Sequence, residues 1–329
     1  MKAIIRAKSG KKLTNLEVQE IATPICQADE VKIKMASSRI NPVDIQLMDG
    51  MPFLKYKKPQ IAGIDGAGEV IEVGKAVSNF ELGDKVFFYR KFTDIGTWAK
   101  EITIKAAYIA KIPNQVNVQD AGSFALPLLT GFEMITSLNP QQGETILIHG
   151  AAGGVGFQAV QVAKAKGLTI IATASEKQFD ILKKAGVTQL INYKSQQFET
   201  VFANQKVDYI VDTVGGEVLL KSIGLKPKKV VSVHYTDPSK LHKTGINMPG
   251  ILKWLLKLST RKFDKLARKN EVTLIGQVAG ANGQLLQQAS DTLNQIDYIT
   301  NTYKTLAFRE IEKTGLTADA LGKVIVFNQ

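Results

Sequence analysis

Cysteine is almost absent from this sequence, since the 329 residues include only Cys26. A single cysteine excludes an internal disulfide framework and any zinc site built from four cysteines. Long apolar runs are also missing, and none approaches the roughly 20 residues of a membrane-spanning helix. The start, MKAIIRAKSGKKL, lacks the apolar stretch and the small-residue cleavage site of a signal peptide. We therefore expect a cytoplasmic protein with no membrane span.

Acidic residues are also fewer than basic residues. The chain has 30 Asp and Glu against 42 Lys and Arg, which gives a net charge of +12 and a sequence pI of about 9.5. Such an excess suits an anionic partner, which could be nucleic acid, a membrane surface or the phosphate groups of a ligand.

Part of this charge is concentrated between residues 253 and 269, around an apolar stripe. The basic residues there are Lys253, Lys257, Arg261, Lys262, Lys265, Arg268 and Lys269, and the stripe contains Leu252, Leu255, Leu256, Phe263 and Leu266. The pattern predicts a basic amphipathic helix. We favour the interpretation that the basic side of this helix is solvated and its apolar side is buried. The alternative is that the helix forms a binding surface.

The order of apolar and polar residues changes near residue 123. Before it, short β-like runs such as VKIKMAS and GAGEVIEVG are separated by turns rich in Gly, Pro, Asn and Asp. After it, apolar strands alternate with helical stretches of 10 to 15 residues, which is typical of βαβ units and a parallel sheet. A final mixed segment ends in GKVIVFN. With 44% hydrophobic and 22% charged residues, the composition is that of a globular protein of two domains.

The first βαβ unit contains the stretch ILIHGAAGGVGF at 146–157. Ala151, Gly153 and Gly156 occupy the small positions of a G-x-G-x-x-G pattern, directly after a strand and at the start of a helix. Small residues there permit a tight turn and a close backbone approach to a pyrophosphate, which the helix N-terminus binds through its free amides. The sequence therefore predicts a dinucleotide site, and a purely structural glycine turn is the alternative.

The second strand of this unit bears on the choice of dinucleotide. An NAD site usually has Asp or Glu about 20 residues after the glycines, where a carboxylate bonds the ribose 2′-hydroxyl. Here the strand ends at 173–175 with Thr, Ala and Ser, and Lys177 follows. These residues favour NADPH, although Glu176 would supply a carboxylate if the strand ended one or two residues later.

Motifs spread along the chain resemble the medium-chain dehydrogenase/reductase family, in its zinc-independent quinone oxidoreductase-like branch. They are NPVD at 41–44, GIDGAG at 63–68 with Gly74 and Val77, GDKV at 83–86, Leu126-Pro127 with Thr130, AAGGVG at 151–156, DTVG at 212–215 and Gly322-Lys323. The resemblance implies an α/β protein with a GroES-like β domain and a Rossmann-type doubly wound parallel sheet. We assign residues 1–122 to the GroES-like catalytic domain, 123–265 to the Rossmann domain and 266–329 to a segment that completes the catalytic domain.

The zinc alcohol dehydrogenases of the same family differ at the metal site. They have a cysteine where this chain has Asn41, and a Gly-His-Glu motif where it has Gly63-Ile64-Asp65. Because Asn and Ile cannot replace thiolate and imidazole as zinc ligands, we expect no metal. Without a Lewis acid the reduction of an activated acceptor remains feasible, since a quinone or an α,β-unsaturated carbonyl carries its own electron sink. We expect hydride transfer from NADPH to such an acceptor.

The resemblance places three residues near the reaction. Asn41 and Thr130 are expected beside the nicotinamide, and Asp44 is expected to support the loop that carries Asn41. Asn41-Pro42 is also a common turn pair and Asp44 could cap the next helix, so structural roles stay open. Gln46 and Pro52 stand where the family's quinone reductases often have tyrosines, and Tyr56 is nearby in sequence. The proton donor is therefore left open.

The cofactor residues follow from the glycine loop, from the ends of the later strands and from the resemblance. Ser175 and Lys177 are expected at the adenosine end and Tyr193 near the 2′-phosphate, while residues after the next two strands line the ribose and nicotinamide. The full set is Ala152, Gly153, Gly154, Val155, Gly156, Ser175, Lys177, Tyr193, Thr213, Val214, Gly215 and His234.

Other functions and partners are also considered. A family member that binds NADPH but has lost turnover, a moonlighting nucleic-acid-binding role and an alcohol or aldehyde dehydrogenase-type activity are the alternatives. A specific RNA module should show its own motif with stacking aromatics, and the basic segment offers only Trp254 and Phe263. We therefore expect a homodimer with a small-molecule quinone or enone substrate, and neither a membrane nor nucleic acid as partner.

Overall fold

The computed structural model describes residues 1–7, 12–48, 60–94, 96–203, 205–301 and 303–327. Pro52 and Tyr56, which the sequence places close to the catalytic loop, lie outside the described residues. The change of pattern near residue 123 separates an antiparallel β region from a parallel α/β region.

The antiparallel region contains two sheets. Strands β1 (Lys2–Arg6) and β2 (Leu16–Glu20) pair with each other. The larger sheet comprises β3 (Glu30–Arg39), β4 (Asp65–Val73), β5 (Lys85–Tyr89), β6 (Glu101–Lys105), β7 (Ile109–Lys111), β14 (Thr305–Ala307) and β15 (Val324–Val326). Its order is β14-β15-β3-β4-β5-β7, with β6 also paired to β3. The last two strands of the chain therefore extend the sheet built by its first third.

The parallel region has one sheet of six strands among the described residues. These are β8 (Thr145–His149), β9 (Thr169–Ala174), β10 (Gln189–Asn192), β11 (Tyr209–Asp212), β12 (Lys229–Ser232) and β13 (Thr273–Gly276). The order β10-β9-β8-β11-β12-β13 is the 3-2-1-4-5-6 order of a Rossmann sheet. The predicted doubly wound sheet is confirmed. Its sixth strand lies beyond residue 265, because β13 pairs in parallel with β12, so the parallel sheet continues into the segment that we assigned to the catalytic domain.

Helices lie on both faces of this sheet and at its junction with the β region. They are α1 (Pro42–Met48), α2 (Val118–Ala121), α3 (Ala125–Leu138), α4 (Gly154–Ala165), α5 (Phe179–Lys184), α6 (Phe198–Val201), α7 (Gly216–Gly224), α8 (Gly250–Lys269), α9 (Gly283–Leu293) and α10 (Phe308–Thr314). Helices α3 and α4 approach closely at Gly131, where a Cβ would lie 2.8 Å from the backbone nitrogen of Ala159. This packing fixes the helix that starts at the glycine motif.

An apolar core joins the two regions. The Phe124 ring lies 6.0 Å from the ring of Phe87 in β5 and 5.6 Å from that of Tyr298 in the return segment. All three side chains are buried. Buried aromatic side chains therefore pack the two regions against each other.

The segment 253–269 is helical, as its pattern predicts, but one residue of the predicted stripe faces outward. Helix α8 buries Thr260, Phe263 and Ala267, while 48% of Leu255 is exposed. Leu255 stands two turns before Phe263, about 80° further around the helix at 100° per residue. Among the described residues, no helix has the length and apolar composition needed to cross a bilayer.

Candidate active site

The loop after β8 is a tight turn that depends on glycine. Gly150 has a φ of +67°, which favours glycine over other residues. Its amide faces Thr173 Oγ1 at 3.4 Å, and the Gly153 amide donates to the Gly150 carbonyl at 2.9 Å. A Cβ on Gly156 would overlap the Gly150 carbonyl oxygen and lie 2.9 Å from the Cα of Ala151. The third small position therefore permits contact between helix α4 and the strand end.

The N-terminus of α4 presents unpaired amides. Phe157 is the residue whose amide donates to the Gly153 carbonyl, at 2.9 Å, so the amides of Gly154, Val155 and Gly156 have no acceptor within the helix. The first turn contains no acidic residue. Free amides and the helix dipole together favour an anion at this position. The predicted residues 152–156 thus form a loop and first turn that fit a pyrophosphate.

Arg39, which is not among the residues predicted from sequence, adds positive charge beside this helix start. One guanidinium nitrogen would lie 3.3 Å from a Cβ on Gly154. The side chain donates to the Ser123 carbonyl at 3.3 Å and stacks over the Tyr303 ring at 4.3 Å. These contacts hold Arg39 at the junction of the two regions. The available signal was an arginine two residues before Asn41, at the end of strand β3.

The loop after β11 meets the glycine loop. Thr213 Oγ1 donates to the His149 carbonyl at 2.8 Å, and a Cβ on Gly150 would collide with the Thr213 hydroxyl and lie 3.4 Å from Val214. Strands β8 and β11 are neighbours at the point where the strand order reverses. Ligands bind at this switch point in doubly wound sheets, and the structure brings residues 213–215 to the glycine loop there.

Asp212 holds the loop at 213–215 in place through hydrogen bonds. Its buried carboxylate accepts hydrogen bonds from the amides of Val214 (3.0 Å) and Gly215 (2.9 Å) and from the Ser232 hydroxyl (2.6 Å). The His234 ring packs on Gly215, where a Cβ would lie 2.6 Å from that of His234, and His234 Nε2 lies 3.2 Å from the Thr213 carbonyl oxygen. The predicted His234 therefore contacts the loop through Gly215.

The proposed adenosine end lies at the carboxyl ends of β9 and β10. Ser175 follows β9 and Tyr193 follows β10, and the Tyr193 amide donates to the Ala174 carbonyl at 3.4 Å. Tyr193 is 61% exposed, and Lys177 and Glu176 are exposed in a 3-10 turn. Within the part of the chain that the structure describes, neither the Ser175 hydroxyl nor the Lys177 ammonium has a bonded partner. Both groups are thus available to a ligand, as is Glu176.

The His149 side chain is buried beneath the glycine loop and lies between two hydroxyl groups. Its Nδ1 lies 3.1 Å from Thr173 Oγ1, its Nε2 lies 3.0 Å from Ser222 Oγ, and the Phe198 ring contacts it edge-on at 4.5 Å. Burial lowers the pKa of this imidazole to about 4, against the opposing effect of Asp212. The ring is therefore neutral and structural at physiological pH.

Stability should fall in acid because of His149. The unfolded chain takes up the proton near pH 6.5 and the folded chain only near pH 4, so the contribution is complete above pH 6.5 and is lost as the pH falls to 4. At about 1.4 kcal/mol per pKa unit, we expect wild type to lose roughly 2–3 kcal/mol more than His149→Gln between about pH 7 and pH 4.5. Urea unfolding at both pH values measures the difference. The exposed-site variant His242→Gln should behave as wild type, and equal losses in wild type and His149→Gln would contradict the assignment.

Asn41 and Asp44 form a reciprocal cap at the start of α1. The Asn41 amide donates to Asp44 Oδ2 at 2.7 Å and the Asp44 amide donates to the Asn41 carbonyl at 3.0 Å, with Pro42 between them at the first helical position. The Asn41 side-chain amide donates a long bond of 3.4 Å to the Arg39 carbonyl and also hydrogen-bonds the Asp65 carboxyl. Asp44 therefore holds the backbone of the buried Asn41.

Buried carboxyl groups surround this cap. Burial raises the pKa of Asp65 to about 7, with hydrogen bonding from Asn41 opposing the shift. Burial and then the charge of Asp65 raise the pKa of Asp44 well above its usual range. Burial also lowers the pKa of Arg90 to about 10. Burial therefore favours the neutral form of both carboxyl groups next to Asn41.

The residues at the family's zinc position do not fit a zinc ion. Asn41 and the buried Ile64 supply neither thiolate nor imidazole. In the described ranges, no three His, Cys, Asp or Glu side chains converge into a metal-binding group. The donor set at this position is thus one amide and one carboxyl.

Thr130 lies on α3 and is nearly buried. Its hydroxyl donates to the Leu126 carbonyl one turn earlier at 2.8 Å, and the Leu126 amide faces Asp65 Oδ2 at 3.4 Å. No hydrogen bond within the described residues joins Thr130 to Asn41. The structure therefore brings Asn41 and Asp44 into contact, while Thr130 approaches them only through Leu126 and Asp65.

Comparisons with known proteins agree with this geometry. Residues 27–114 match the alcohol dehydrogenase GroES-like domain and residues 154–229 match the zinc-binding dehydrogenase family. The second match starts after Asn41 and Ile64, so it covers the dinucleotide fold rather than the zinc position. The predicted pairing of a GroES-like domain with a Rossmann-type sheet is confirmed.

Several relatives are quinone oxidoreductases or their homologues. A chloroplastic quinone-oxidoreductase homolog of Spinacia oleracea is 30% identical over 226 residues, which are 66% of this chain and 69% of the relative. The quinone oxidoreductase of Sus scrofa is 28% identical over 63% of this chain and 64% of its own length.

Solved structures give the same picture over the whole chain. The quinone oxidoreductase from Coxiella burnetii superposes with a TM-score of 0.77 at 27% identity, covering 100% of this chain and 99% of that one. An Escherichia coli quinone oxidoreductase solved with NADPH, at 20% identity and a TM-score of 0.73, shares the fold over 99% of this chain and 100% of that one. The chain therefore belongs to the medium-chain dehydrogenase/reductase family, as an NAD(P)-dependent oxidoreductase of the quinone oxidoreductase-like type.

Proposed function

We propose that this protein transfers a hydride from NADPH to a quinone or an α,β-unsaturated carbonyl compound without a metal ion. The observation that carries the proposal is the start of α4, where unpaired amides of 154–156 lie at the switch point of the sheet with no acidic residue in the first turn. This arrangement fits the pyrophosphate of a dinucleotide. When bound, NADPH supplies the hydride.

Three groups of residues contact three different parts of the dinucleotide. The amides after Gly153 hold the pyrophosphate, and Arg39 adds a charge beside them. The half-buried Ser175 and the exposed Lys177 and Tyr193 face the 2′-phosphate, for which Lys177 is the cation. The loop 213–215 and His234 line the ribose and nicotinamide. NADPH is favoured over NADH because the ends of β9 and β10 offer a free hydroxyl and a free ammonium.

The acceptor is inferred from the groups around Asn41. Neither Asn41 nor Ile64 ligates zinc, so alkoxide stabilisation by a metal has no support in the donor set. The side-chain amide of Asn41 can exchange its long 3.4 Å bond to the Arg39 carbonyl for a bond to the acceptor oxygen as charge develops on that oxygen. The Thr130 hydroxyl already donates its proton to the Leu126 carbonyl. Towards a ligand, Thr130 can therefore only accept a hydrogen bond or make a packing contact. Such a site suits an acceptor that delocalises its own charge.

The proposal extends to a cytoplasmic homodimer. Strand β13 ends the parallel sheet among the described residues, and a second copy could continue the sheet from that edge. Sedimentation velocity of the purified chain measures the mass of the assembly.

The proposal predicts that NADPH is oxidised faster than NADH with a panel of quinones and enones, and that Lys177→Glu reverses the preference. Glutamate removes a cation and adds an anion beside the 2′-phosphate, so KM for NADPH should rise about ten-fold or more while KM for NADH changes little. Initial rates at 340 nm measure both constants, with and without a zinc chelator.

Lys183→Glu is the matched control, because it changes the charge equally at an exposed site in α5. Equal losses in both variants, or faster NADH oxidation by wild type, would overturn the choice of NADPH. NADPH binding without oxidation of any acceptor would indicate lost turnover. Loss of activity to the chelator would contradict the metal-free mechanism.

A further inference from the structure

Helix α8 has a second apolar face, which points away from the protein. Ile251 is 69% exposed, Trp254 58%, Leu255 48% and Leu258 42%. Their spacing of three, one and three residues places them on one side of the helix, within about 100° of arc. We call these four residues the outward stripe. Large exposed apolar patches on a folded protein mark contact surfaces.

Basic side chains continue and flank the outward stripe. Lys262, Lys265 and Lys269 follow it along the same side of α8 at helical spacing. Lys257, Arg261 and Arg268 lie on one flank of the stripe and Lys253 lies further round the helix; all seven are exposed. None of them forms a salt bridge with any residue that the structure describes. The single acidic residue of the helix, Asp264, accepts from the Tyr235 hydroxyl at 2.5 Å. The exposed side of α8 is therefore apolar in its first half and cationic in its second.

The opposite side anchors the helix. Thr260, Phe263 and Ala267 are buried, and Phe263 and Ala267 belong to a core with Ile210 and Val230 of the parallel sheet. On a helical projection this side lies roughly 160° from the outward stripe. Burying the outward stripe against the same sheet would require the anchored side to leave its core. The stripe thus stays available to a partner.

We propose that the outward stripe docks α8 on an anionic membrane surface. In that position its four apolar side chains enter the headgroup boundary while the lysines and arginines contact lipid phosphates, which is the arrangement of an interfacial helix. A symmetric second copy would bring six cations against six others. A nucleic acid would pair with the cations and leave Ile251, Leu255 and Leu258 in water. The inference does not depend on the proposed oxidoreductase reaction.

The chain contains a reporter for this contact. Of its two tryptophans, Trp98 is fully buried and Trp254 belongs to the outward stripe. We expect a blue shift of tryptophan emission, and co-sedimentation of the full chain, with vesicles of phosphatidylcholine and phosphatidylserine at about 7:3, and much weaker binding to phosphatidylcholine alone. NADPH binding and oxidation, measured without vesicles, report separately on the proposed function.

Two variants and a control separate the contributions. Ile251→Ser/Leu255→Ser/Leu258→Ser should lose the blue shift and bind at least about ten-fold more weakly. Lys262→Glu/Lys265→Glu should lose about 25-fold or more, at roughly five-fold per basic residue. Lys75→Glu/Lys206→Glu makes the same change in net charge at exposed sites outside α8 and should lose less than about three-fold.

Three results would overturn the proposal. They are no binding to anionic vesicles, equal loss in the control and the α8 variants, and binding with no shift in Trp254 emission. Self-association or RNA binding that depends on α8 in place of vesicle binding would assign the surface to a second copy or to nucleic acid instead.

Discussion

Gly156→Val should abolish dinucleotide binding, with a loss in NADPH affinity of about 100-fold or more. A Cβ at this position would overlap the Gly150 carbonyl oxygen and lie 2.8 Å from its carbonyl carbon. Both are backbone atoms of the loop, so the clash is relieved only by moving the start of α4 away from β8. The amides at that start then no longer converge on the pyrophosphate. Fluorescence titration with NADPH measures the affinity.

Gly224→Ala is the matched control for this substitution. Gly224 lies at the end of α7 with ordinary helical φ, and nothing lies within 4 Å of the Cβ that alanine would add. It should bind NADPH as wild type does, and its stability should stay equal or rise by up to about 1 kcal/mol. Circular dichroism on both variants separates a local change from unfolding. Wild-type affinity in a folded Gly156→Val protein would show that the dinucleotide binds elsewhere.

The parts of the site that sequence predicts are those fixed by backbone geometry. The small residues at 151, 153 and 156 specify a strand, a turn and a helix start within a few residues, and local spacing alone carries that information. The sheet order follows because parallel strands linked by helices have few permitted topologies. For the same reason the loop at 213–215 could be assigned to the cleft from its position after a strand.

Side chains that arrive from distant segments were harder to find. Arg39 reaches Gly154 across 115 positions in the chain, and its stacking on Tyr303 depends on how the return segment packs. The role of Asp212 as acceptor for two loop amides depends on the loop turning back over the strand end. Neither contact leaves a periodic signal in the sequence.

Helix α8 shows a different limit. Its apolar residues lie on two sides, at Ile251, Leu255 and Leu258 on one and Phe263 on the other. A single stripe drawn through Leu255 and Phe263 mixes the two, since amphipathicity predicts one buried face for a helix in a monomer. Only the position of the sheet decides which side is buried. The outward stripe can be recognised only after the side with Phe263 has been identified as the buried one.

Asp212→Ala should destabilise the protein by about 3–5 kcal/mol, because it removes the acceptor of several buried donors at once. The carboxylate accepts from the amides of Val214 and Gly215 and from the Ser232 hydroxyl. Alanine leaves these groups without that partner in a buried region and frees the loop that meets the glycine turn. Urea unfolding near neutral pH measures the change in free energy.

The size of this effect depends on burial rather than on charge alone. Asp180→Ala, at an exposed position in α5, should change the free energy of unfolding by less than about 0.5 kcal/mol. Asp212→Asn keeps one acceptor oxygen but directs an amide group at a donor, so its loss should fall between those of the other two variants. A loss below about 1 kcal/mol in Asp212→Ala would mean that water replaces the carboxylate. The loop at 213–215 would then be shaped by the packing of His234 on Gly215 and not by the hydrogen bonds of Asp212.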